Sequence, residues 1–344
     1  MRLRIPFVLL QAALWLVFTS CSESKEVRLQ QFLLKGNIAL RERNPEQAII
    51  YFNEALKLDP CFADALNNLG TIQYQSQHWS EAIGYYSKAL ECKPDFFMAR
   101  INRANAYYEA REYYNAEQDI QRARSQKPDT AVVYFLEGLV ATKMRDFDMA
   151  LSSFDKAMKM DSIRADYFVN RGTIFYYRHQ YDSASHDLWR AKRINEKEPN
   201  VYNTLAMVDI ARGNLDSALT HINRAIELVP KEPYFLNNRG YVLLMQNHPE
   251  EALADINESI VLDSRNAWAY RNKGLYYYMQ GEYPRAVRLL EQSMGMDSFV
   301  DRIHYYLGMA YYRNGQLNKA CEQFRLSEKV GDQMVPVELR KQCR

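Results

Sequence analysis

The apolar and small residues of this chain recur with a period of 34. Nine rows of 34 residues, counted from Leu29, fit without an insertion and cover residues 29–334. In every row position eight is Gly or Ala, position twenty is Ala, position twenty-four is bulky and apolar, and position twenty-seven is Ala or Ser. Antiparallel helices approach closely only where side chains are small. Each row therefore predicts a helical hairpin whose two helices cross at these positions.

Gly and Pro residues mark the turns between the predicted helices. They fall in mid-row or near the row's end: Pro45, Gly213, Pro249, Gly281 and Gly315, and then Pro60, Pro94, Pro128 and Pro230. The period and the order small, small, bulky, small, Pro resemble the tetratricopeptide repeat family. The resemblance implies an all-α, right-handed superhelical solenoid of about nine tandem hairpins, with the first helices on its concave side. Residues 335–344 are expected to form a short capping helix.

The first twenty residues have a different pattern. Arg2 and Arg4 precede a fourteen-residue apolar run, and small residues follow before Cys21. This order predicts a signal peptide over residues 1–20, since the run is short for a transmembrane helix. An ordinary secretion signal and an uncleaved anchor are the alternatives.

The segment FTSC resembles the lipobox of bacterial lipoproteins, with Phe18 where that box prefers Leu. The resemblance implies cleavage before Cys21 and lipidation (palmitate among the acyl chains) of this cysteine. Residues 21–28 would then be a lipidated tether. Ser22 stands where an inner-membrane retention signal would place Asp, which favours the outer membrane, with the protein periplasmic or surface-facing.

Composition narrows the class of partner. The chain has 44 Lys and Arg against 42 Asp and Glu, and this balance argues against a nucleic-acid binder. We find no Walker loop and no HExxH, CxxC or GxSxG motif. The six histidines are scattered over five rows without metal-ligand spacing. The sequence therefore predicts no enzyme, cofactor or metal site, and a protein or peptide partner.

Four cysteines remain besides Cys21, and disulfides can form in an exported protein. In a hairpin that turns between positions fourteen and fifteen, Cys61 before the first helix of row two lies opposite Cys92 at the end of the second. Residues equally distant from the next turn also lie opposite each other, which places Cys321 nearly opposite Cys343. Two disulfides are therefore possible, and free buried thiols are the alternative.

Asparagine recurs at position six, on the expected concave lining. The five members are Asn68, Asn102, Asn170, Asn238 and Asn272. A carboxamide both donates and accepts, so this ladder could hold an extended peptide backbone. The arrangement resembles the repeat domain of O-GlcNAc transferase. The alternative is that these are ordinary solvated residues of the repeat.

Rows seven to nine place large apolar side chains on the same lining. They are Tyr234, Tyr241, Leu244, Met245, Trp268, Leu275, Tyr278, Met279, Tyr305, Tyr306, Met309 and Tyr312. Such a patch, if exposed, indicates a binding surface. Arg271, Arg302 and Arg313 lie beside it and could pair with partner carboxylates. Alternatively, the C-terminal tail covers part of the patch.

Two functions follow from these patterns. The first is a membrane-tethered module that binds an extended or helical segment of another cell-envelope protein in its concave groove. The second is an assembly scaffold for a pilus, secretion or outer-membrane complex, which docks through its convex face and ends. The second resembles the repeat lipoproteins that assist such assemblies.

Overall fold

The computed structural model describes residues 24–332 and 334–343. Regular structure in these residues is entirely helical, with nineteen helices. The first eighteen form nine consecutive antiparallel hairpins, and a short helix follows them. The predicted all-α fold of nine tandem hairpins with a C-terminal helix is confirmed. The predicted signal peptide and Cys21 lie outside the described residues.

The hairpins are numbered one to nine, and each has a first (odd-numbered) and a second (even-numbered) helix. The helices are α1 (Lys25–Arg41), α2 (Pro45–Leu58), α3 (Ala63–Gln75), α4 (Trp79–Cys92), α5 (Phe97–Glu109), α6 (Tyr113–Gln126), α7 (Ala131–Lys143), α8 (Phe147–Met160), α9 (Ala165–Tyr177), α10 (Tyr181–Ile194), α11 (Pro199–Ala211), α12 (Leu215–Leu228), α13 (Pro233–Met245), α14 (Pro249–Leu262), α15 (Ala267–Met279), α16 (Tyr283–Met296), α17 (Ile303–Arg313), α18 (Leu317–Lys329) and α19 (Val337–Gln342). Across the described part of the chain, none of these helices is both long enough and apolar enough to cross a bilayer.

The two helices of a hairpin touch where position eight meets position twenty-four. A Cβ atom added to Gly138 would lie 2.5 Å from Cε1 of Phe154, and one added to Gly240 would lie 2.7 Å from Cγ1 of Ile256. Both distances are shorter than van der Waals contact, so an alanine at either position would displace its neighbour. The glycines of this position therefore set how closely the helices approach.

The turn after every first helix places position fifteen in the left-handed backbone region. These residues are Arg43, Gln77, Arg111, Arg145, His179, Gly213, Asn247, Gly281 and Gly315. In hairpin three, for example, the N–H of Glu112 donates to the carbonyl of Tyr107, 2.8 Å away, and closes the end of α5. Only three of the nine positions are glycine. The other six residues have side chains and adopt this conformation at a cost of about 1 kcal/mol each. A search of the sequence for glycine therefore identifies only three of the nine turns.

Three hairpins contain the same internal ion pair between positions seven and twenty-three. In hairpin five Nε of Arg171 lies 2.6 Å from Oδ2 of Asp187, whose side chain is buried. The equivalent pairs of hairpins three and seven are Arg103–Asp119 and Arg239–Asp255. These ion pairs were not predicted from the sequence. The joint occurrence of Arg and Asp at the two positions of rows three, five and seven is the signal that reveals them.

The chain divides into two compact units: unit one ends at Met160, and unit two begins at Asp161. Unit one contains hairpins one to four, and unit two contains hairpins five to nine. First helices of neighbouring hairpins pack against each other from hairpin two to hairpin four and from hairpin five to hairpin nine. Among the described helices, no two second helices make a comparable contact. Each unit is therefore curved with its first helices on the concave side.

The C-terminal tail closes the outer edge of hairpin nine. Val335 and Leu339 are buried in the core of hairpins seven to nine. Helix α19 packs against α18, a second helix. Cys343 forms a disulfide with Cys321, and their Cα atoms are 5.1 Å apart. The tail therefore caps the array instead of lying along the first helices.

The second disulfide joins Cys61 to Cys92, with Cα atoms 5.3 Å apart. It connects the entry to α3 with the end of α4. The structure thus places both predicted cysteine pairs at bonding distance. In each pair one cysteine lies in a helix, Cys92 or Cys321, and the other lies just outside one, Cys61 or Cys343. The Cα atoms can therefore come closer than the axes of packed helices, which are about 8–10 Å apart.

The N-terminal boundary differs from the expectation. Helix α1 begins at Lys25, because Ser24 caps it by accepting a hydrogen bond of 3.3 Å from the N–H of Val27. Residues 25–28, which we assigned to a tether, are therefore helical.

We predict that each disulfide stabilises the array by about 3–4 kcal/mol, because the bridges close segments of 31 and 22 residues. Replacing both cysteines of either pair by serine should lower the urea midpoint measured by circular dichroism. The wild type in reductant should unfold with the variant that lacks both pairs. A wild-type midpoint that does not respond to reductant would contradict the prediction.

Candidate functional site

The asparagines of position six hold neighbouring first helices together. Nδ2 of Asn102 donates to Oδ1 of Asn67, 2.9 Å away on the preceding hairpin. Asn238 makes the same bond to Asn203, at 2.8 Å, in unit two. The other members are Asn68, which donates to Asn37, Asn272, which donates to Asn237, and Asn170, which donates to the carbonyl of Asp166 in its own helix. The ladder is thus largely engaged within the protein.

Three members of the ladder, Asn102, Asn238 and Asn272, donate to asparagines at position five, which were not selected from the sequence. Asn67, Asn203 and Asn237 occupy this position in hairpins two, six and seven. Paired asparagines at positions five and six of adjacent rows are the sequence signal for these bonds. A carboxamide has two N–H groups and two acceptor sites, so a half-buried member such as Asn238 retains capacity for a ligand. Asn272 is fully buried and does not.

Arg271 occupies the centre of the concave face of hairpins seven to nine. Its Nε and Nη2 donate to Oδ1 of Asn272 at 3.0 and 2.7 Å, and Nη1 donates to the carbonyl of Asp301 at 3.0 Å. Its guanidinium carbon lies 4.9 Å from the ring centroid of Tyr241 and 5.3 Å from that of Trp268. Only 5% of Arg271 is exposed. The structure therefore corrects our expectation that Arg271 is available to a partner carboxylate.

Two tyrosines close over this arginine from either side. The hydroxyl oxygens of Tyr241 in hairpin seven and Tyr306 in hairpin nine are 3.2 Å apart, across the intervening helix α15. Burial raises the pKa of the Tyr306 phenol above its ordinary value. Its hydroxyl, which is protonated at neutral pH in any case, keeps its proton further into the alkaline range and can share a hydrogen bond with Tyr241. We call Tyr241, Arg271, Asn272 and Tyr306 the arginine cluster.

The start of hairpin nine is modified to accommodate the arginine cluster. Helix α17 begins at Ile303, two residues into its row, and Arg302 lies in the left-handed region with φ of 56°. A non-glycine residue in this region is strained and persists only where surrounding contacts hold it. Here the carbonyl of Asp301 faces Arg271, and the Asp301 carboxylate lies 3.6 Å from Nε of Arg302.

Asp301, at the start of hairpin nine, also affects a tyrosine of hairpin five. Burial raises the pKa of the Tyr176 phenol, and the carboxylate of Asp301 raises it further. Tyr176 is half-buried on α9, at position twelve of its row. The centre of the concave face of hairpins seven to nine is occupied by the arginine cluster.

The predicted apolar patch separates into a closed centre and an open border. Tyr241, Leu244, Leu275 and Tyr306 belong to the core. Tyr234, Met245 and Met279 remain exposed. Trp268, Tyr278, Tyr305, Met309 and Tyr312 are half-buried against that core.

Part of the border lies at the ends of three neighbouring first helices. It consists of Met245 at the end of α13, Tyr278 and Met279 at the end of α15, and Tyr312 near the end of α17. We call these four residues the turn-side rim. Met245 and Met279 are 37% and 44% exposed. Two thioethers and two phenols thus form an accessible surface supported by a rigid cluster.

The repeat assignment is supported by direct comparison with known families. Tetratricopeptide repeat profiles match residues 33–95, 74–131, 203–267 and 271–329, and a second profile of the same repeat matches residues 131–163. The chain belongs to the tetratricopeptide repeat family. No curated protein sequence matches it.

Solved structures of tetratricopeptide repeat proteins share this fold. The APC/C hetero-tetramer Cut9-Hcn1 matches with a TM-score of 0.67 and 17% identity, over 94% of this chain and 64% of that chain. PilF of Pseudomonas aeruginosa matches with a TM-score of 0.53 and 20% identity, over 62% of this chain and 97% of its own. PilW, a widely conserved type IV pilus biogenesis factor, gives 0.50 and 19% identity, over 58% and 92%. At these identities the likeness establishes the fold alone, and this chain spans less than two thirds of the Cut9-Hcn1 chain.

We predict that Arg271→Lys destabilises unit two by about 2–3 kcal/mol, because an ammonium cannot reproduce the paired bonds to Asn272 together with the bond to Asp301. Arg288→Lys is the control, since Arg288 is exposed on the second helix α16. Urea unfolding of both variants measures the difference. Equal midpoints for the two variants would show that the arginine cluster does not hold hairpins seven to nine together.

Proposed function

We propose that this tetratricopeptide repeat protein is a membrane-tethered interaction module. It binds an extended or helical segment of another cell-envelope protein on the concave side of hairpins seven to nine. The repeat family supports a role in protein interaction rather than catalysis. We choose this surface because the turn-side rim is accessible there.

Rigidity of the support favours binding at this rim. The arginine cluster links hairpins seven, eight and nine through side-chain hydrogen bonds, so the rim residues are positioned before a partner arrives. A preorganised surface loses less conformational entropy on binding. Methionine adapts to the shape of a partner, and tyrosine adds ring contact and a hydroxyl. Such side chains are typical anchors of a protein interface.

The asparagine ladder contributes less than its sequence pattern suggests. Asn272 is buried beneath Arg271, whereas Asn238 is half-buried and keeps part of its hydrogen-bonding capacity. We therefore assign orientation of the bound backbone to half-buried amides such as Asn238, and most of the affinity to the rim.

The tether rests on the N-terminal sequence. We propose that residues 1–20 are removed as a signal peptide and that Cys21 carries the lipid. Because Ser22 replaces the Asp of an inner-membrane retention signal, we propose that the protein is anchored in the outer membrane. Three residues of the sequence separate Cys21 from Lys25, the first residue of α1.

An assembly scaffold that docks through second helices is the alternative. Trp189 of α10 is 45% exposed on such a helix, with Nζ of Lys192 4.8 Å from its ring. The similarity of fold to PilF and PilW is compatible with this function, since PilW is a pilus biogenesis factor. In that case the turn-side rim does not contact the partner.

Met279→Glu and Met296→Glu distinguish the two functions. Both methionines lie in hairpin eight, with exposures of 44% and 41%, but Met279 ends the first helix and Met296 ends the second. A partner recovered by pull-down from an envelope fraction is titrated against both variants. We expect Met279→Glu to weaken binding at least about tenfold, because it places a charge in a desolvated contact, and Met296→Glu to bind as the wild type does.

Circular dichroism melts must show that both variants fold as the wild type does. Loss of binding in Met296→Glu with full binding in Met279→Glu would reject the concave surface and support the scaffold. Equal losses in both variants would also contradict our assignment.

A further inference from the structure

Hairpin one exposes a position that is buried throughout the rest of the array. At position ten the residue of every later hairpin is buried: Ile72, Ala106, Val140, Ile174, Val208, Val242, Tyr276 and Ala310. In hairpin one this position is Ile38, which is 42% exposed. Within a unit, the preceding hairpin packs on this side of the first helix. Ile38 therefore faces the space that a preceding hairpin occupies elsewhere.

Ile38 is part of an apolar stripe along α1. Val27 and Leu34 are 45% and 60% exposed, and with Ile38 they follow a spacing of seven and four residues. This spacing places the three side chains on one face of a helix. The opposite face of α1, with Leu29 and Ala39, packs into hairpin one. We call Val27, Leu34 and Ile38 the α1 stripe.

The other end of the array is covered. Val335 and Leu339 of the tail are 1% and 8% exposed, and the disulfide from Cys343 to Cys321 fixes the tail on hairpin nine. A second copy therefore cannot add its α1 stripe to the apolar edge of hairpin nine, because the tail already occupies that edge. The α1 stripe needs a different cover.

We infer that the lipid surface of the membrane covers the α1 stripe, so that hairpin one lies flat on the bilayer. This inference rests on the proposed lipidation of Cys21. It adds a specific contact between membrane and protein to that tether.

The short chain between Cys21 and α1 supports the inference that the membrane covers the α1 stripe. Cys21 and Ser24 are three residue steps apart, which span at most about 10–11 Å. Three further residues of helix, at about 1.5 Å each, reach Val27. A lipid on Cys21 therefore holds the start of the α1 stripe within about 15 Å of the acyl chains. Lying flat, α1 brings all three apolar side chains to the interface, whereas an upright α1 leaves them in water.

The charges beside the α1 stripe match a phospholipid surface. Arg28, Lys35 and Arg41 are exposed on α1. Of the acidic residues close by, Glu26 accepts a hydrogen bond from Gln30, Asp59 lies 3.9 Å from Nζ of Lys25, and Glu42 is exposed at the end of α1. Lys25, Arg28, Lys35 and Arg41 outnumber Glu26 and Glu42 on this helix and its cap. Basic side chains around an apolar helix face are the pattern of helices that lie in the membrane interface, where they pair with lipid phosphates.

Photocrosslinking in the full chain tests the inference. Leu34→benzoylphenylalanine is expressed in a bacterial host whose phospholipids carry labelled phosphate, and the mass of the N-terminal peptide reports whether Cys21 is lipidated. Val261→benzoylphenylalanine is the control, since Val261 is 82% exposed on the second helix α14. We expect at least about tenfold more phospholipid adduct at position 34 than at position 261.

The outcomes separate the inference from the proposed tether. A lipidated Cys21 with equal adducts at positions 34 and 261 overturns the inference and leaves the tether standing. A crosslink to a second copy of the chain, or to its own residues 1–20, also overturns it and identifies a different cover. An unlipidated Cys21 rejects the tether and with it the inference as stated. Ile38→benzoylphenylalanine repeats the test at a second position of the α1 stripe.

Discussion

Contact between a glycine and a large side chain sets the geometry of every hairpin that contains it. At Gly138 the ring of Phe154 lies where a Cβ atom would be, so the two helices pack without a gap. This contact fixes the separation of the two helices in these hairpins. Because each hairpin has nearly the same shape, the first helices of neighbours meet along one side and leave the second helices apart. The concave face is a consequence of that repeated shape.

The concave face of hairpins seven to nine departs from a simple open groove. Arg271 is buried there with its polar atoms bonded to Asn272 and Asp301, and the hydroxyls of Tyr241 and Tyr306 meet above it. A buried charge is tolerated only when such partners surround it. The protein thus uses its most aromatic region to join three hairpins. In the function that we propose, another protein binds the residues around that region, above all the turn-side rim.

The repeat, the hairpins and the cysteine pairs could be read from the sequence because each depends on spacing along the chain. The burial of Arg271 could not be predicted from the sequence, since position five of a first helix normally lies on the exposed concave lining. Its burial results from rings 30 or more residues away in hairpins seven and nine. The left-handed backbone of Arg302 was also hidden, because no glycine marks it. By contrast, Arg171 and Asp187 occupy positions seven and twenty-three, where rows three and seven also have Arg and Asp. A comparison of these two positions across the rows predicts the pair.

A comparison of Gly138→Ala with Gly84→Ala tests the central claim most directly. Gly84 lies inside α4, and a Cβ atom added to it would meet nothing within 4 Å. The account predicts that Gly138→Ala lowers the free energy of unfolding by about 1–3 kcal/mol through overpacking against Phe154. Gly84→Ala should raise it by about 0.5–1 kcal/mol, because alanine favours the helix. If urea unfolding shows that both substitutions stabilise the protein, the contact between glycine and ring does not set the fold.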